Sequence, residues 1–314
     1  MPGSAAPKLS IIMPAYNHEK FVGEAVEGVL NQTFTNFEFI IIDDGSQDAT
    51  ADVINSYKDD RIHYYFQENQ DAFNALNNGM AKATGEFWAI LNSDDVYLPN
   101  RFEELFNFQT RHDADCLFTD VFAIDDDSNA LSDPEFGWNQ WHQKNRQKYT
   151  DLNDLYAGFL HGNFMVTTSN LFMKASLAKQ VGGFAPLRYL HDYDYIFRLM
   201  LASPTACYYL ADQQLLKYRI HGNNTLSEGA ILARHQDQQV IRQYMLASVD
   251  ADADIELKKK RVETALDRLI ALEHELLAVQ SELDAKHAAP LSDKQMSTNS
   301  VKQVLKRVAR KLQG

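Results

Sequence analysis

Two pairs of adjacent aspartates stand at the ends of apolar runs. Asp43 and Asp44 close FEFIIIDD, and Asp94 and Asp95 follow AILNS. Like charges gathered into one pocket cost energy unless a cation or hydrogen-bond donors compensate them. Carboxylates are hard oxygen ligands that suit Mg2+ or Mn2+, ions that bind through one or two carboxylates and phosphate oxygens. Such an ion stabilises negative charge growing on a departing phosphate. Each pair also has a plainer reading. Pro99 suits the first turn of a helix, so Asp94 and Asp95 could complement that helix's dipole. Gly45 and Ser46 make a turn, and Asp48 or Ser46 can cap the helix after it.

The surrounding elements decide whether these pairs meet. From Lys8 to about Asp127 the sequence alternates between strands and amphipathic helices. LSIIMPAY, FEFIIIDDGS, RIHYYFQ and EFWAILNSDD read as strands. HEKFVGEAVEGVLNQ, DATADVINSY, DAFNALNNGMAKAT and NRFEELFNFQTRH read as helices. Alternation of this kind builds an α/β fold with a mainly parallel central sheet flanked by helices. Ligands bind beyond the carboxyl ends of such strands. Four polar clusters fall on that edge: Pro14–Asn17, Asp43–Ser46, Glu68–Gln70 and Ser93–Asp95. One edge implies one pocket.

After Ser128 the order loosens. SDPEFGWNQWHQKNRQKY reads as a loop carrying Trp138 and Trp141. GNFMVTTSNLFMKASLAKQVGGF reads as a strand and then a helix, LHDYDYIFRLMLA as a helix, and ACYYLADQQLLKYRIHGNNTLS as strands with a polar loop. From Val262 to Leu283, apolar residues recur at steps of three and four, a coiled-coil seam of about three heptads. The seam suggests self-association or docking to a pathway partner. Beyond it, Val301, Val304, Leu305, Val308 and Leu312 share one helical face, bordered by Lys302, Lys306, Arg307, Arg310 and Lys311. A basic amphipathic helix at 299–314 reads as an anchor to an anionic membrane surface, with an acidic protein partner as the alternative.

Composition narrows the classes. The net charge of −13 argues against nucleic acid as a partner. No apolar leader and no run of about 18 apolar residues is present, so neither a signal peptide nor a membrane span is expected. The two cysteines, Cys116 and Cys207, sit in apolar runs and read as free thiols of a reducing cytoplasm.

One resemblance gathers these features. SIIMPAYNHEKFVGEAVEGVLNQTFTNFEFIIIDDGSQDAT, then ATGEFWAILNSDD, VGGF, LHDYDYIFRLM and YRIHGNNTLS, in that order, resemble the segments of family 2 glycosyltransferases with the GT-A fold. The resemblance covers about Lys8 to Ser227. It implies an inverting transfer of a sugar from a UDP-, GDP- or dTDP-linked donor to a hydroxyl of a glycan or lipid-linked glycan, with Mn2+ or Mg2+ as cofactor. By resemblance, Pro14, Ala15, Tyr16, Asp43 and Asp44 line the base and ribose pocket. Asp94 would serve the ribose or a shared ligand role, Asp95 the metal, and His221 the diphosphate or metal. Asp192 becomes the general base. His191 stands where the family carries an acid, and it competes for that role. Leu76 replaces an arginine common in relatives, which shifts phosphate neutralisation to the metal or Lys82. Asn74, Asn77 and Asn78 are candidates for the donor sugar or for helix capping. Trp138 and Trp141 would stack on acceptor sugars or cover a core edge.

The expected segmentation is linear. A short N-terminus (1–7) precedes a nucleotide-sugar half (8–127) and an acceptor and catalytic half (128–228). A helical extension with the coiled-coil segment (229–285), a linker (286–298) and the basic helix (299–314) follow. The expected site of action is the cytoplasmic face of the cell membrane, in cell-surface polysaccharide biosynthesis. Two competing classes remain: a non-catalytic scaffold subunit of the same fold, disfavoured by the intact Asp94, Asp95 and Asp192, and a nucleotidyltransferase, disfavoured by the lack of a Gly-rich basic loop after the first strand.

Overall fold

The computed structural model describes residues 7–221, 230–251 and 253–287. The chain divides into two units, residues 1–131 with 165–220, and residues 132–164 with 221–314. The chain therefore leaves the first unit after Leu131, returns at Met165 and leaves again after Ile220, where the expected segmentation runs linearly.

The first unit is built on an eight-stranded sheet of order β3-β2-β1-β4-β7-β6-β8-β5. Its opening half alternates as the sequence predicts: β1 (Leu9–Ala15), α1 (Val22–Leu30), β2 (Phe37–Asp43), α2 (Thr50–Ser56), β3 (Ile62–Phe66), α3 (Ala72–Lys82) and β4 (Phe87–Ile90). These four strands are parallel, and register fixes their ends: Ala15 lies beside Asp43, and Asp43 beside Phe66. The polar clusters after β1, β2 and β3 therefore leave the sheet at one level. All seven residues of β1 are buried, so the strand is covered on both faces, as a parallel sheet requires.

The other half mixes directions. It comprises β5 (Val96–Tyr97), α4 (Arg101–His112), β6 (Cys116–Ile124), a 3-10 turn (Thr168–Asn170), β7 (Phe172–Lys174), α7 (Ala175–Val181), α8 (His191–Ala202) and β8 (Cys207–Arg219). The three-residue β7 pairs antiparallel with both β4 and β6. It is pinned by rings: Phe172 stacks on Phe87 at 5.3 Å, and Phe106 meets both edge-on. Fully burying a phenylalanine contributes about 2–3 kcal/mol, enough to hold so short a strand. Helix α8 buries Tyr193, Tyr195, Ile196, Phe197, Leu199 and Met200. That burial all round fixes its first turn.

The second unit contains α5 (Gly137–Leu152), α6 (Leu155–His161), α9 (Ala230–Asp250) and α10 (Ile255–His287). Helix α5 occupies a stretch expected to be a loop. Its buried side is carried by His142 and Asn145 rather than by aliphatic residues, so no apolar period announces it. Three positions of the heptad pattern face inward. Ala265, Leu272 and Val279 are buried, and α10 packs on α9 and α6. Arg268–Asp237 (2.7 Å), Arg234–Glu275 (3.0 Å) and Arg261–Asp154 (2.8 Å) fix the register. Within the described residues, Ala265, Leu272 and Val279 of the segment expected to serve self-association or a partner are buried in the unit. The segments 222–229 and 299–314 lie outside the described residues.

Candidate active site

At the end of β2, the two aspartates diverge. Asp43 is fully buried, accepting from Tyr64 Oη at 2.7 Å and from the Ser46 amide at 2.8 Å. Burial and Asp43 together push the Tyr64 phenol above its ordinary range. Gly45 turns the chain at φ +80°, where a Cβ would meet the Asn69 amide nitrogen at 2.8 Å, so only glycine fits. Asp44 Oδ1 accepts from Gln67 Nε2 at 2.7 Å and from the Gln70 amide at 2.9 Å. Burial raises its carboxyl above the ordinary range against those donors.

The β1 loop is laced to this turn. The Asn17 amide donates to Ser46 Oγ, and the Gln47 amide to Asn17 Oδ1. Pro14 and Ala15 belong to β1 itself, beside Ile42 and Asp43, while Tyr16 is 44% exposed.

Asp94 and Asp95 also differ. Asp95 is buried and fully engaged. Its Oδ2 accepts from Ser169 Oγ at 2.5 Å and Thr167 Oγ1 at 3.1 Å, and its Oδ1 from the Arg219 amide at 3.0 Å. Burial, then the adjacent Asp94, push its carboxyl up to about 8 despite these donors. Asp94 is half-buried, and a carboxylate oxygen lies within 4.8 Å of a ring nitrogen of His18. His18 is held in turn: its Nδ1 meets Ser93 Oγ at 2.7 Å and its amide donates to Thr50 Oγ1 at 2.8 Å. One imidazole and one carboxylate, half open to solvent, fit a Mn2+ or Mg2+ that keeps positions for diphosphate oxygens. Sequence reasoning missed His18, although it follows the Tyr16-Asn17 pair directly.

Arg219 locks this corner from within. Its Nε donates to the Asp94 carbonyl at 2.8 Å, its Nη2 to Glu24 at 2.5 Å and its Nη1 to the Asp125 carbonyl at 2.9 Å. The guanidinium also sits 4.9 Å from the Phe21 ring centre. Against the cost of burial, the Ser128 hydroxyl, then the hydrogen bond and charge of Arg219, then Lys217, hold the Glu24 carboxyl below its ordinary range. His221 lies two residues past the end of β8 and begins the second unit's C-terminal segment.

Asp192 is buried in the first turn of α8. Two residues on, Asp194 pairs with Arg198 at 2.8 Å, whose Nη1 reaches the carbonyls of Val181 and Gly183. Arg198 thus ties the Gly182–Gly183 turn to α8. His191 Nδ1 lies 3.1 Å from the Leu187 carbonyl, and its ring meets Phe184 edge-on. Tyr218 lies near the end of β8, and burial first, then the charges of Asp95, Asp94 and Asp192, raise its phenol above the ordinary range. Tyr218 was hidden in the Tyr-Arg-x-His segment, read only for its histidine.

Other candidates sit elsewhere. Asn74 Nδ2 donates to the Gln70 carbonyl at 2.6 Å, and Asn77 pairs its amide with both backbone groups of Phe184. The Lys82 ammonium lies 4.1 Å from the Tyr65 ring centre. Trp138 and Trp141 belong to α5 of the second unit, where Trp138 stacks on His142 at 5.0 Å and Trp141 is 38% exposed.

Residues 10–174 match the family described as Glycosyl transferase family 2. An uncharacterized glycosyltransferase of Rickettsia typhi is 32% identical over 228 residues, 70% of this chain and 66% of that protein. GlyG, a glycosyltransferase of Streptococcus pneumoniae, is 35% identical over 121 residues, 38% of this chain and 40% of its own. The chain spans 66% of the Rickettsia typhi relative's length and 34% of a Rickettsia felis relative's. Among solved structures, S. aureus TarS 1–349 in complex with UDP-GlcNAc superposes with TM-score 0.64 at 18% identity, covering 83% of this chain and 72% of that one. The mannosyltransferase PcManGT of Pyrobaculum calidifontis, in complex with GDP-Man and Mn2+, gives 0.58 at 14% identity, covering 98% and 81%. The chain belongs to glycosyl transferase family 2, and its sheet and flanking helices have the GT-A fold.

Proposed function

We propose that this chain is an inverting glycosyltransferase that moves a sugar from a nucleotide-diphosphate donor to a hydroxyl of a glycan or lipid-linked glycan. The observation that carries this reading is the half-open corner at the strand ends where an Asp94 carboxylate oxygen lies within 4.8 Å of a His18 ring nitrogen. In this reading Asp94 is the metal-suited carboxylate and Asp192 the base-suited one. The donors bound by TarS and PcManGT support a nucleoside diphosphate sugar as the donor class.

In this reading Asp43, Asp44 and Tyr16 receive the nucleoside beyond the ends of β1 and β2. Asp94 and His18 hold the divalent ion. This assigns the metal to Asp94, where the sequence had favoured Asp95, whose carboxylate already serves three protein donors. Mn2+ or Mg2+, when bound, offsets the charge gathering on the departing diphosphate. Asp192 accepts the acceptor's hydroxyl proton as that oxygen bonds to the anomeric carbon and the carbon–oxygen bond to diphosphate breaks. Attack opposite the leaving group inverts the centre. His191 and Asn74 border the sugar end.

Location follows the same reading. Among the described residues no helix is long and apolar enough to cross a membrane. The pattern of 299–314 supports peripheral attachment to the inner face of the cell membrane, where lipid-linked acceptors of polysaccharide synthesis reside. The central test is Asp192→Asn. A general base contributes about 10^2–10^4 in rate, so transfer should fall by that factor while nucleotide binding by calorimetry holds. Unchanged turnover refutes the base assignment.

A further inference from the structure

Helix α5 is basic in an acidic chain. Lys144, Arg146 and Lys148 stand against the single acid Asp151, in a chain of net charge −13. Gln140, Lys144, Gln147, Lys148 and Asp151 share one face by helical spacing. With Gln143 and with His161 from the end of α6, they line an open cleft of about 500 Å³. Among the described residues, neither the Lys144 nor the Lys148 ammonium lies within 4 Å of a carboxylate, whereas Arg261 and Arg268 of the same unit are paired. Trp141 is a near neighbour along the helix, three residues before Lys144, and is exposed.

We infer that this cleft binds an anionic glycan, a saccharide bearing phosphate or carboxylate groups. The inference rests on the reading of the chain as a sugar transferase with a glycan acceptor, and it names that acceptor's chemistry. Each part has a matching task. Two uncompensated ammonium groups meet the anions, glutamine amides meet hydroxyls, and an indole face meets the apolar face of a sugar ring. His161 supports the picture. Burial first, then Arg268, Lys148 and Lys144, push its imidazole down to about 4, so it stands neutral as an acceptor or donor for a hydroxyl. A membrane surface fits less well, because Trp141 is the one exposed large apolar side chain among the described residues of 132–164.

The test titrates the full chain with four probes: oligogalacturonate (carboxylated), phosphorylated mannan fragments, neutral maltooligosaccharides, and vesicles containing anionic lipid. Tryptophan fluorescence reports binding. One or both anionic glycans should bind, with affinity falling as salt rises, and the neutral glycan should bind at least tenfold more weakly. Lys144→Gln/Lys148→Gln should weaken the anionic glycan by about tenfold, with a circular-dichroism melt confirming the fold. Equal binding of charged and neutral glycans, or binding of vesicles alone, overturns the inference. If the double variant fails to fold, each single variant should still lose about threefold, and no loss in either overturns it. UDP with Mn2+ is titrated separately. UDP binding without glycan binding sinks this inference and spares the transferase reading; glycan binding without UDP binding does the reverse.

Discussion

A buried carboxylate that already accepts from two hydroxyls and an amide has little left to offer a cation. Asp95 is in that position, and Asp94, one residue earlier, faces His18. Their substitutions should therefore fail differently. Asp95→Ala leaves the Ser169 hydroxyl and the Arg219 amide without their acceptor and takes one of two from Thr167, at a cost of about 2–4 kcal/mol in urea unfolding. Asp94→Ala should leave the unfolding midpoint nearly unchanged and abolish the Mn2+ dependence of UDP binding; the opposite pattern would reverse the two roles. His161 offers a second residue-scale test. Its imidazole, at about 4 when folded against an ordinary 6.5, stays neutral in the native state while the unfolded chain takes up a proton. The stabilisation is thus complete above about pH 6.5 and is lost as pH falls toward 4, about 3 kcal/mol in all. His161→Gln should flatten that slope in pH-dependent denaturation, and an unaltered slope would exclude His161 as its source. None of this division of labour was legible in the sequence. Adjacent aspartates in a turn point to different surroundings, and only tertiary neighbours tell them apart.

Elements explain why the polar clusters were nonetheless legible. Strand ends are marked by a change from apolar runs to Asp, Asn and Gly, and parallel register brings those ends level, as Ala15, Asp43 and Phe66 are. The legible part ends where local pattern stops deciding. Helix α5 buries His142 and Asn145 where an aliphatic stripe would announce it, and β5 and β7 are strands of two and three residues held by neighbours. At this scale the decisive joint is Arg198, which ties Asp194 of α8 to the carbonyls of Val181 and Gly183. Arg198→Ala strands a buried carboxylate, so stability should fall by about 3 kcal/mol. The first turn of α8, with Asp192, should loosen as well. The expected signature is a lower kcat with donor binding retained; a kcat at the original level would show that Asp192 is positioned without this joint.

On the scale of the whole chain, the C-terminal helices are part of a folded unit rather than an appendage. The second unit joins residues 132–164 to 221–314. Tyr156 Oη donates to the Tyr244 carbonyl at 2.7 Å, and Arg261 grips Asp154 through two bonds. The seam of Ala265, Leu272 and Val279 is buried within the unit. A heptad pattern announces that such a face needs a cover, but it does not say whether the cover comes from another chain or from the same one. Two truncations separate the roles of this region. A chain ending at residue 228 lacks α9 and α10 and leaves the apolar side of α6, with Tyr156, Phe159 and Leu160, uncovered. Patches of that kind drive association, so this product should bind a hydrophobic dye and aggregate. A chain ending at residue 297 retains both helices and should melt as the full chain does. It loses only the basic segment proposed to attach to membranes, so its binding to anionic vesicles should fall severalfold by co-sedimentation. A soluble, dye-silent 1–228 product would show that α5 and α6 need no cover from α9 and α10. Vesicle binding undiminished in the 1–297 product would place any membrane contact elsewhere in the chain.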